Sequence, residues 1–494
     1  MTSQGSSTGF AGVASGHPLA TEAGIEALQC GGSAVDAALA AAFTQWVVNA
    51  PQCGPGGELV ALVAGPSGTS RTDVFVYGGW SRTPLAVAAK RDAACDDLHE
   101  ACRPLNAVVP GSLRGAEAVW RAHGRLDWAS LFSGALAAAA GHTVTSRMAE
   151  VYAVAASKGH REALQRILGQ QNAPKQGDTI HMPNLSRTLE LVATQGADTF
   201  YLGELASQLV AAAAAEGALL SHSDLEAVQP SVETAQRFEL DDIVLWLTPA
   251  PSQASITAAL LAAAPHDADP ARRDFAEAVA PVTEEQLSEF CRRGPALPSG
   301  TAVSTAFDSS GLSATVVHSL ASVPFGTGWV AGDTGVAFSD RVGTALSQRS
   351  DLPGCNPIPG AVLPHTLSAA HVQRRDAARW MTVATPGGDR QVQWLAQAIQ
   401  RFRRGAETAE IAGGPRWFVC PTRSRFGVPV GIGEPWYAFA EPGIEWHEDT
   451  EIAGYEVRRS VNVGGGLQLV IANSQDVKLA SDPRSGGTAS TIQG

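Results

Sequence analysis

The hydrophobic spacing of this chain changes at one place, and that place divides what it can fold into. Before Gly300 the apolar residues recur mostly at helical spacing, in runs such as AVDAALAAAF (34–43) and LVAAAAAEGALL (209–220). From Thr301 onward the pattern is that of strands. TAVSTAFD (301–308) and SATVVHSL (313–320) lie either side of SSG, a hairpin signal. A helical first part followed by a strand-rich second part predicts an α+β or layered α/β architecture.

Within that division, residues 17–50 read as two short helices broken at Gly31-Gly32, with Ser33 as the N-cap of the second. Residues 59–64 and 72–78 read as a hairpin, and 112–220 as mostly helix. DDIVLWLTPAPSQAS (241–255) reads as a buried strand followed by a Pro-rich turn. Residues 265–300 carry scattered proline and charge and end in RRGPALPSG (292–300), an exposed loop. WMTVATPGGDRQVQWLAQAIQ (380–400) is a strand, a Gly-Gly turn and a helix, and GGLQLVIA (465–472) is a late strand. There is no internal repeat.

The 494 residues carry 35 Lys plus Arg against 48 Asp plus Glu, a formal charge of −13. An acidic chain without a basic tract is a poor partner for nucleic acid or an anionic membrane. The seven cysteines (Cys30, Cys53, Cys95, Cys102, Cys291, Cys355 and Cys420) are odd in number and lack CxxC spacing. That pattern fits a reducing compartment, with Cys95 and Cys102 the only pair close enough in sequence to suggest a bridge. MTSQGSSTGFAGVASGHPLA has neither the basic start nor the apolar centre of a signal peptide, and no apolar run reaches the ~18 residues of a membrane span. A cytoplasmic protein is expected. No G-x-S-x-G elbow, Walker A loop or H-E-x-x-H motif occurs, and nothing in the sequence calls for a metal or cofactor. Of the twelve histidines, His17 and His318 are the ones to watch near a site.

Two short stretches carry chemistry. Thr301 follows Gly300 at the point where the pattern changes. A threonine there is a good β-former. If the Gly300–Thr301 bond is cut, it is also a nucleophile with its own base, because an α-amine has a pKa of about 8. A glycine carbonyl before it is unhindered. In ATPGGDR (384–390), Gly387 and Gly388 lie between a strand and a helix, where successive N–H groups make either a tight turn or an oxyanion hole.

What joins these stretches is a resemblance. VASGHPLATEAGIEALQCGGSAVDAALAAAF (13–43), NAPQCGPGGELVAL (49–62) and VVPGSLRGAEAVWRAHGRLDWASLF (108–132) resemble blocks of the gamma-glutamyltranspeptidase family of N-terminal-nucleophile hydrolases. So do FYLGELASQLVAAAAAEGALLSHSDLEAVQP (200–230), PFGTGWVAGDTGVAFSD (324–340) and LASDPRSGG (479–487), in the same order. The resemblance implies an α+β fold, an αββα sandwich formed as one intertwined domain by two subunits after self-cleavage. These would be a large subunit (1–300), helix-rich and on the substrate-binding side, and a small, strand-rich subunit (301–494), with an oligomer beyond the pair left open. It places Thr301 on the nucleophile, Ser319 on a second hydroxyl that supports it, and Gly387 and Gly388 on the oxyanion pair.

The glutamate clamp of the family is not carried over. In WSRTP (80–84) Trp80 stands where the family has an arginine for the α-carboxylate, with Arg82 two residues on. In FSDRVGT (338–344) Arg341 replaces an acidic or amide residue and Thr344 the aspartate that holds the α-amine. Thr366-Leu367 replaces a serine pair, Ala321 an asparagine, Ala302 a threonine and Val303 a histidine. A site without its polar partners discriminates strongly against a polar substrate. Glutathione is therefore expected to be a poor substrate. Trp80 suggests an aromatic or apolar acyl group, or merely fills space, while Arg82 and Arg341 remain candidates for a substrate carboxylate. The resemblance leaves open an amide bond or a carbon–carbon bond beside a ketone. The latter is the role implied for divergent members in 4-alkylproline antibiotic biosynthesis, acting on a ring-opened DOPA derivative. A gamma-glutamyl hydrolase or transferase, or a dicarboxylic acylase, with a rebuilt pocket is the alternative. An inactive scaffold is the remaining one.

Overall fold

The computed structural model describes residues 6–8, 10–66, 72–90, 104–293, 300–342, 358–375, 379–421, 436–445, 451–460, 462, 464–473 and 476–493. The hairpin expected around SSG forms. Thr301–Phe307 pairs antiparallel with Ser313–Ser319, with Thr301 opposite Ser319 and Val303 opposite Val317. Because successive strand residues point to opposite faces, one face of this hairpin can pack towards a helix and the other towards a second sheet. Ala302, Ala306, Ala314 and Val316 pack into the core under the helices, whereas Val303 and Val317 pack into a separate core between sheets.

Two seven-stranded sheets result. The first runs Thr488–Ile492, Ala11–Ser15, Thr301–Phe307, Ser313–Ser319, Glu58–Pro66, Thr72–Gly79, Ser231–Thr234. The second runs Ser6–Thr8, Val477–Ser481, Gln468–Ala472, Trp380–Ala384, Ala369–Arg374, Ile243–Leu247, Gln236–Glu239. Segments from before and after residue 300 are combined in both, so neither part builds either of these two sheets by itself. The sheets face one another: Thr301–Phe307 and Ser313–Ser319 lie against Trp380–Ala384.

Helices cover both outer faces. On the first sheet lies Ala34–Val48, buried along its whole length as its alanine-rich sequence requires. Its start is fixed by a capping box in which the Ser33 and Asp36 side chains each bond the other's backbone N–H. The small residues let the strand approach closely, and Ser304 Oγ donates to the Ala38 carbonyl at 2.8 Å. On the second sheet lie Ile256–Ala263, Arg273–Arg293 and Gln391–Arg403. The layers are therefore helix, sheet, sheet, helix: the αββα sandwich of the α+β class that the resemblance implied.

One expectation needs correction. The Pro- and charge-rich stretch after 265 is not a run into a loop but contains a 21-residue helix, Arg273–Arg293, with Pro281 inside it. Phe275, Ala276, Val279, Ala280 and Leu287 are buried at helical spacing, and that burial outweighs the roughly 3 kcal/mol a proline costs in a helix interior. A small four-stranded sheet (Trp417–Pro421, Trp436–Ala440, Tyr455–Arg459, Glu451–Ile452) was not anticipated either. Most of RRGPALPSG, and both Cys95 and Cys102, lie outside the described residues. Among the described residues no helix is long and apolar enough to cross a membrane.

His318 is fully buried on the helix-facing side of its strand, and its Nδ1 accepts from Trp46 Nε1 at 3.1 Å. Burial lowers its pKa to about 3. The unfolded state therefore takes up a proton below the ordinary histidine value of ~6.5 that the folded state refuses, so stability is lost as pH falls below that value. For His318→Asn the fall in unfolding free energy between pH 7 and pH 5, measured by urea titration, should be smaller than in the parent by about 2 kcal/mol.

Candidate active site

Sheet geometry sets the site on one cross-strand row. Thr301 lies opposite Ser319, and Ser319 lies opposite Glu58 on the next strand. Leu59 pairs with Gly79, which puts Trp80 just past the end of the neighbouring strand, beside Glu58. Thr301, Ser319 and Glu58 are buried. All three sit in step with Val303, Val317 and Val60, the residues that fill the space between the sheets.

At the start of that row, the Gly300 carbonyl receives two donors, Ser319 Oγ at 2.9 Å and the Leu320 N–H at 3.2 Å. Ser319 Oγ in turn accepts from the Ala321 N–H at 2.8 Å and from Thr301 Oγ at 3.4 Å. One hydroxyl therefore spends its single proton on the Gly300 carbonyl and both lone pairs on N–H and O–H groups. The Gly300 N–H donates to the Ala321 carbonyl at 2.8 Å. A Cβ on residue 300 would sit 2.9 Å from the Ala321 and Ser322 carbonyl oxygens, so the close approach itself demands glycine.

The second element, Gly387-Gly388, follows the strand Trp380–Ala384, which packs on the Thr301 hairpin. Both residues have positive φ, 153° and 60°. Their carbonyls are tied down: Gly387 accepts from Arg390 N and Nε, each at 3.2 Å, and Gly388 from Gln253 Nε2 at 2.9 Å. Among the described residues neither Gly387 nor Gly388 N–H has an acceptor. Trp394 backs the turn, and a Cβ on Gly387 would meet its ring at 2.3 Å.

Beyond Ser319 the row ends in a buried ionic and aromatic cluster. Arg341 donates to Glu58 Oε1 from Nε at 2.9 Å and from Nη2 at 2.5 Å, and both side chains are 1% exposed or less. Arg341, a candidate for a substrate carboxylate, therefore already holds the protein's own carboxylate, and its Nη1 is turned to the Pro364 carbonyl at 3.4 Å. Burial raises the Glu58 carboxyl above its usual range, and the Arg341 guanidinium opposes that shift. His365 Nδ1 lies 3.8 Å from Glu58 Oε1, but burial and the Arg341 charge hold the imidazole well below its ordinary pKa, so it stands there neutral. Trp80 packs on His365 with ring centroids 4.9 Å apart, and its Nε1 donates to Ser231 Oγ at 3.0 Å.

The remaining candidates divide. Arg82 is half-buried, bonded through its backbone to Val109 and through Nη1 to the Gly360 carbonyl at 3.3 Å. Thr366 is buried, and its carbonyl accepts from Ser368 Oγ at 3.0 Å and Gln253 Nε2 at 3.5 Å. Gln253 therefore links the Thr366 segment to the Gly388 turn. Thr344 lies outside the described residues. His17 caps the helix Pro18–Gln29 by accepting from the Leu19 N–H, and His318 faces the helix layer on the far side of its strand from Thr301. Both belong to the scaffold.

Glu58, Gln253 and His365 were not singled out from sequence. Glu58 did carry a signal, since it is a charge in step with Val60 and Leu62 on the inward face of an otherwise apolar strand. Gln253 and His365 carried none.

Comparison with known proteins agrees with this geometry. The sequence profile described as Gamma-glutamyltranspeptidase matches residues 20–293 and 269–492. Human glutathione hydrolase 5 proenzyme is 31% identical over 260 residues, covering 51% of this chain and 43% of the human one, so the chain spans less than half of that relative. Oxamate amidohydrolase proenzyme of Klebsiella pneumoniae is 28% identical over 466 residues, 82% of this chain and 84% of the relative. Among solved structures, a cephalosporin acylase from Bacillus halodurans superposes with a TM-score of 0.81 at 19% identity, covering 100% of this chain and 98% of that one. LmbA2991HD gives 0.80 at 20%, covering 99% and 100%. At such identities the superpositions establish the fold. Because the family profile spans nearly the whole chain, on the same strands and turns that build the Thr301 row, the chain belongs to the gamma-glutamyltranspeptidase family.

Proposed function

We propose that the chain is a self-processing hydrolase that cuts itself between Gly300 and Thr301 and then uses Thr301 as an N-terminal nucleophile on a non-glutamyl acyl compound. The observation that carries this reading is the set of hydrogen bonds from Thr301 Oγ to Ser319 Oγ and from Ser319 Oγ to the Gly300 carbonyl. Self-cleavage needs a hydroxyl beside the preceding carbonyl and donors on its oxygen. Thr301 Oγ forms a bond to the Gly300 carbonyl carbon while Ser319 and the Leu320 N–H hold the oxygen. The carbon–nitrogen bond breaks, and the hydroxyl proton ends on the Thr301 nitrogen. Water then hydrolyses the ester, leaving a Gly300 carboxylate, a free Thr301 amine and its hydroxyl. The proenzyme names of the relatives support the same step.

The freed amine takes the proton from Thr301 Oγ as it attacks the substrate carbonyl, and the Gly387 and Gly388 N–H groups receive the oxyanion. Water hydrolyses the acyl–Thr301 ester after the leaving group has gone. For an amide that group departs as an amine protonated by the Thr301 ammonium. For a carbon–carbon bond beside a ketone it departs as a carbanion, which conjugation must stabilise. Trp80 in place of a carboxylate-binding arginine supports a substrate without a glutamyl head. A second reading, hydrolysis of a small acid amide, draws on the oxamate amidohydrolase matched along most of both chains.

Intact mass under denaturing conditions tests the core of the reading. The wild type should give two fragments that meet at 300/301, and Thr301→Ala one chain of 51.2 kDa. Wild-type protein that stays whole after long incubation would refute it. Ser319→Ala should slow cleavage on the order of 100-fold, as loss of one oxyanion donor does elsewhere. Gly387→Ala probes the other donor set. The variant keeps the N–H but its Cβ meets the Trp394 ring and displaces the turn, so the protein that still folds and cuts itself should lose about 100-fold or more in kcat on any acyl substrate the wild type turns over.

A further inference from the structure

We propose that the Glu58–Arg341 ion pair is an internal plug that sets specificity: it occupies the carboxylate-binding position of the acyl pocket with the protein's own carboxylate and restricts the enzyme to acyl groups that are uncharged at their far end. The inference rests on the reading of Thr301 as the nucleophile and adds the class of acyl group to it.

Distance along the row supports it. Glu58 is two strands from Thr301, about 10 Å at ordinary strand spacing. An acyl chain of about five carbons extending from Thr301 Oγ towards Glu58 spans most of that gap. A carboxylate at its end would reach Arg341, which is held against Glu58 at the end of the row. That guanidinium already gives Nε and Nη2 to Glu58 Oε1 and Nη1 to the Pro364 carbonyl. An incoming anion would have to displace a paired carboxylate or lie beside it unneutralised, and like charges at that distance repel strongly where water is excluded. The neighbouring surface is built from Trp80 and the uncharged His365 in ring contact, and the Asp340 carboxyl adds a second acid whose charge acts on Glu58. A planar or aliphatic acyl end fits such a wall and an anion does not.

Glu58→Gln removes the negative charge and keeps an oxygen that can accept from Arg341. Two probes are used on the purified chain: glutarate, followed by calorimetry, and a pair of anilides, pentanoyl and glutaryl p-nitroanilide, which differ in length little and in the end carboxylate entirely. In the wild type glutarate should not bind measurably, and pentanoyl should exceed glutaryl in kcat/KM on the order of 100-fold. In Glu58→Gln glutarate should bind at least about tenfold more tightly, and the anilide preference should narrow by a similar factor. In the double variant Glu58→Gln, Arg341→Met the gain in glutarate binding should vanish. A folded Glu58→Gln that binds glutarate no better than wild type overturns the plug. If that variant does not fold, the wild type decides: binding of glutarate or equal use of the two anilides overturns the proposal, and rejection of both glutarate and the glutaryl anilide supports it. Absence of any anilide turnover with an uncut wild-type chain refutes the hydrolase reading instead, while the glutarate titration still reads the plug.

Discussion

The Thr301 row lies buried between the two sheets, so its polar groups depend on partners within the protein. An unpaired buried hydroxyl or carbonyl costs roughly 1–3 kcal/mol, so the partners are specified as firmly as the apolar packing around them. Ser319 meets this demand with one hydroxyl, donating to the Gly300 carbonyl and accepting from the Ala321 N–H and the Thr301 hydroxyl. The same bonds bring the Thr301 hydroxyl, the Ser319 hydroxyl and the Gly300 carbonyl together where the two strands meet.

The sandwich presents two separate sets of hydrogen-bond donors near Thr301 and Gly387, and their origins differ. One is built from strand ends, where Ser319 and the Leu320 N–H converge on the chain's own carbonyl. The other is built from a turn on the facing sheet, where tied carbonyls at Gly387 and Gly388 leave the N–H groups open. Locking the carbonyl side of a peptide fixes the direction of its N–H without using it, which is the preorganisation that electrostatic catalysis depends on. Trp394 behind the turn and Gln253 across from it do that locking from opposite sides.

What could be read from sequence follows the range of the interactions. The hairpin at 301–319, the capped helix after Ser33 and the strand–turn–helix at 380–403 rest on local spacing and caps, and they form as expected. The helix at Arg273–Arg293 was obscured because a local breaker, Pro281, is outweighed by burial that only the tertiary structure supplies. Gly300, Thr301, Gly387 and Gly388 are ordinary turn and strand residues in isolation, and only the family resemblance singled them out. The pairing of Arg341 with Glu58 was not legible for a reason of range: the two are 283 residues apart in the chain, and no local pattern pairs them. Glu58 alone was legible as an oddity, a carboxylate in step with inward-facing valine and leucine.

That ion pair is hard to explain by stability. Desolvating two charges offsets most of their attraction, and apolar residues of similar volume usually serve as well or better, whereas losing one partner leaves a buried charge that costs several kcal/mol. A pair of this kind on the outer surface of a core could be incidental. Here it sits on the row that carries Thr301 and Ser319, beside the residue that replaces the carboxylate-binding arginine, with a neutral histidine and an indole closing the other side. Its net charge is zero, yet it holds a guanidinium in place and denies it to anything else. Specificity by occupation requires such a compromise: the binding group stays in the pocket, and the residue that silences it is one substitution away from releasing it.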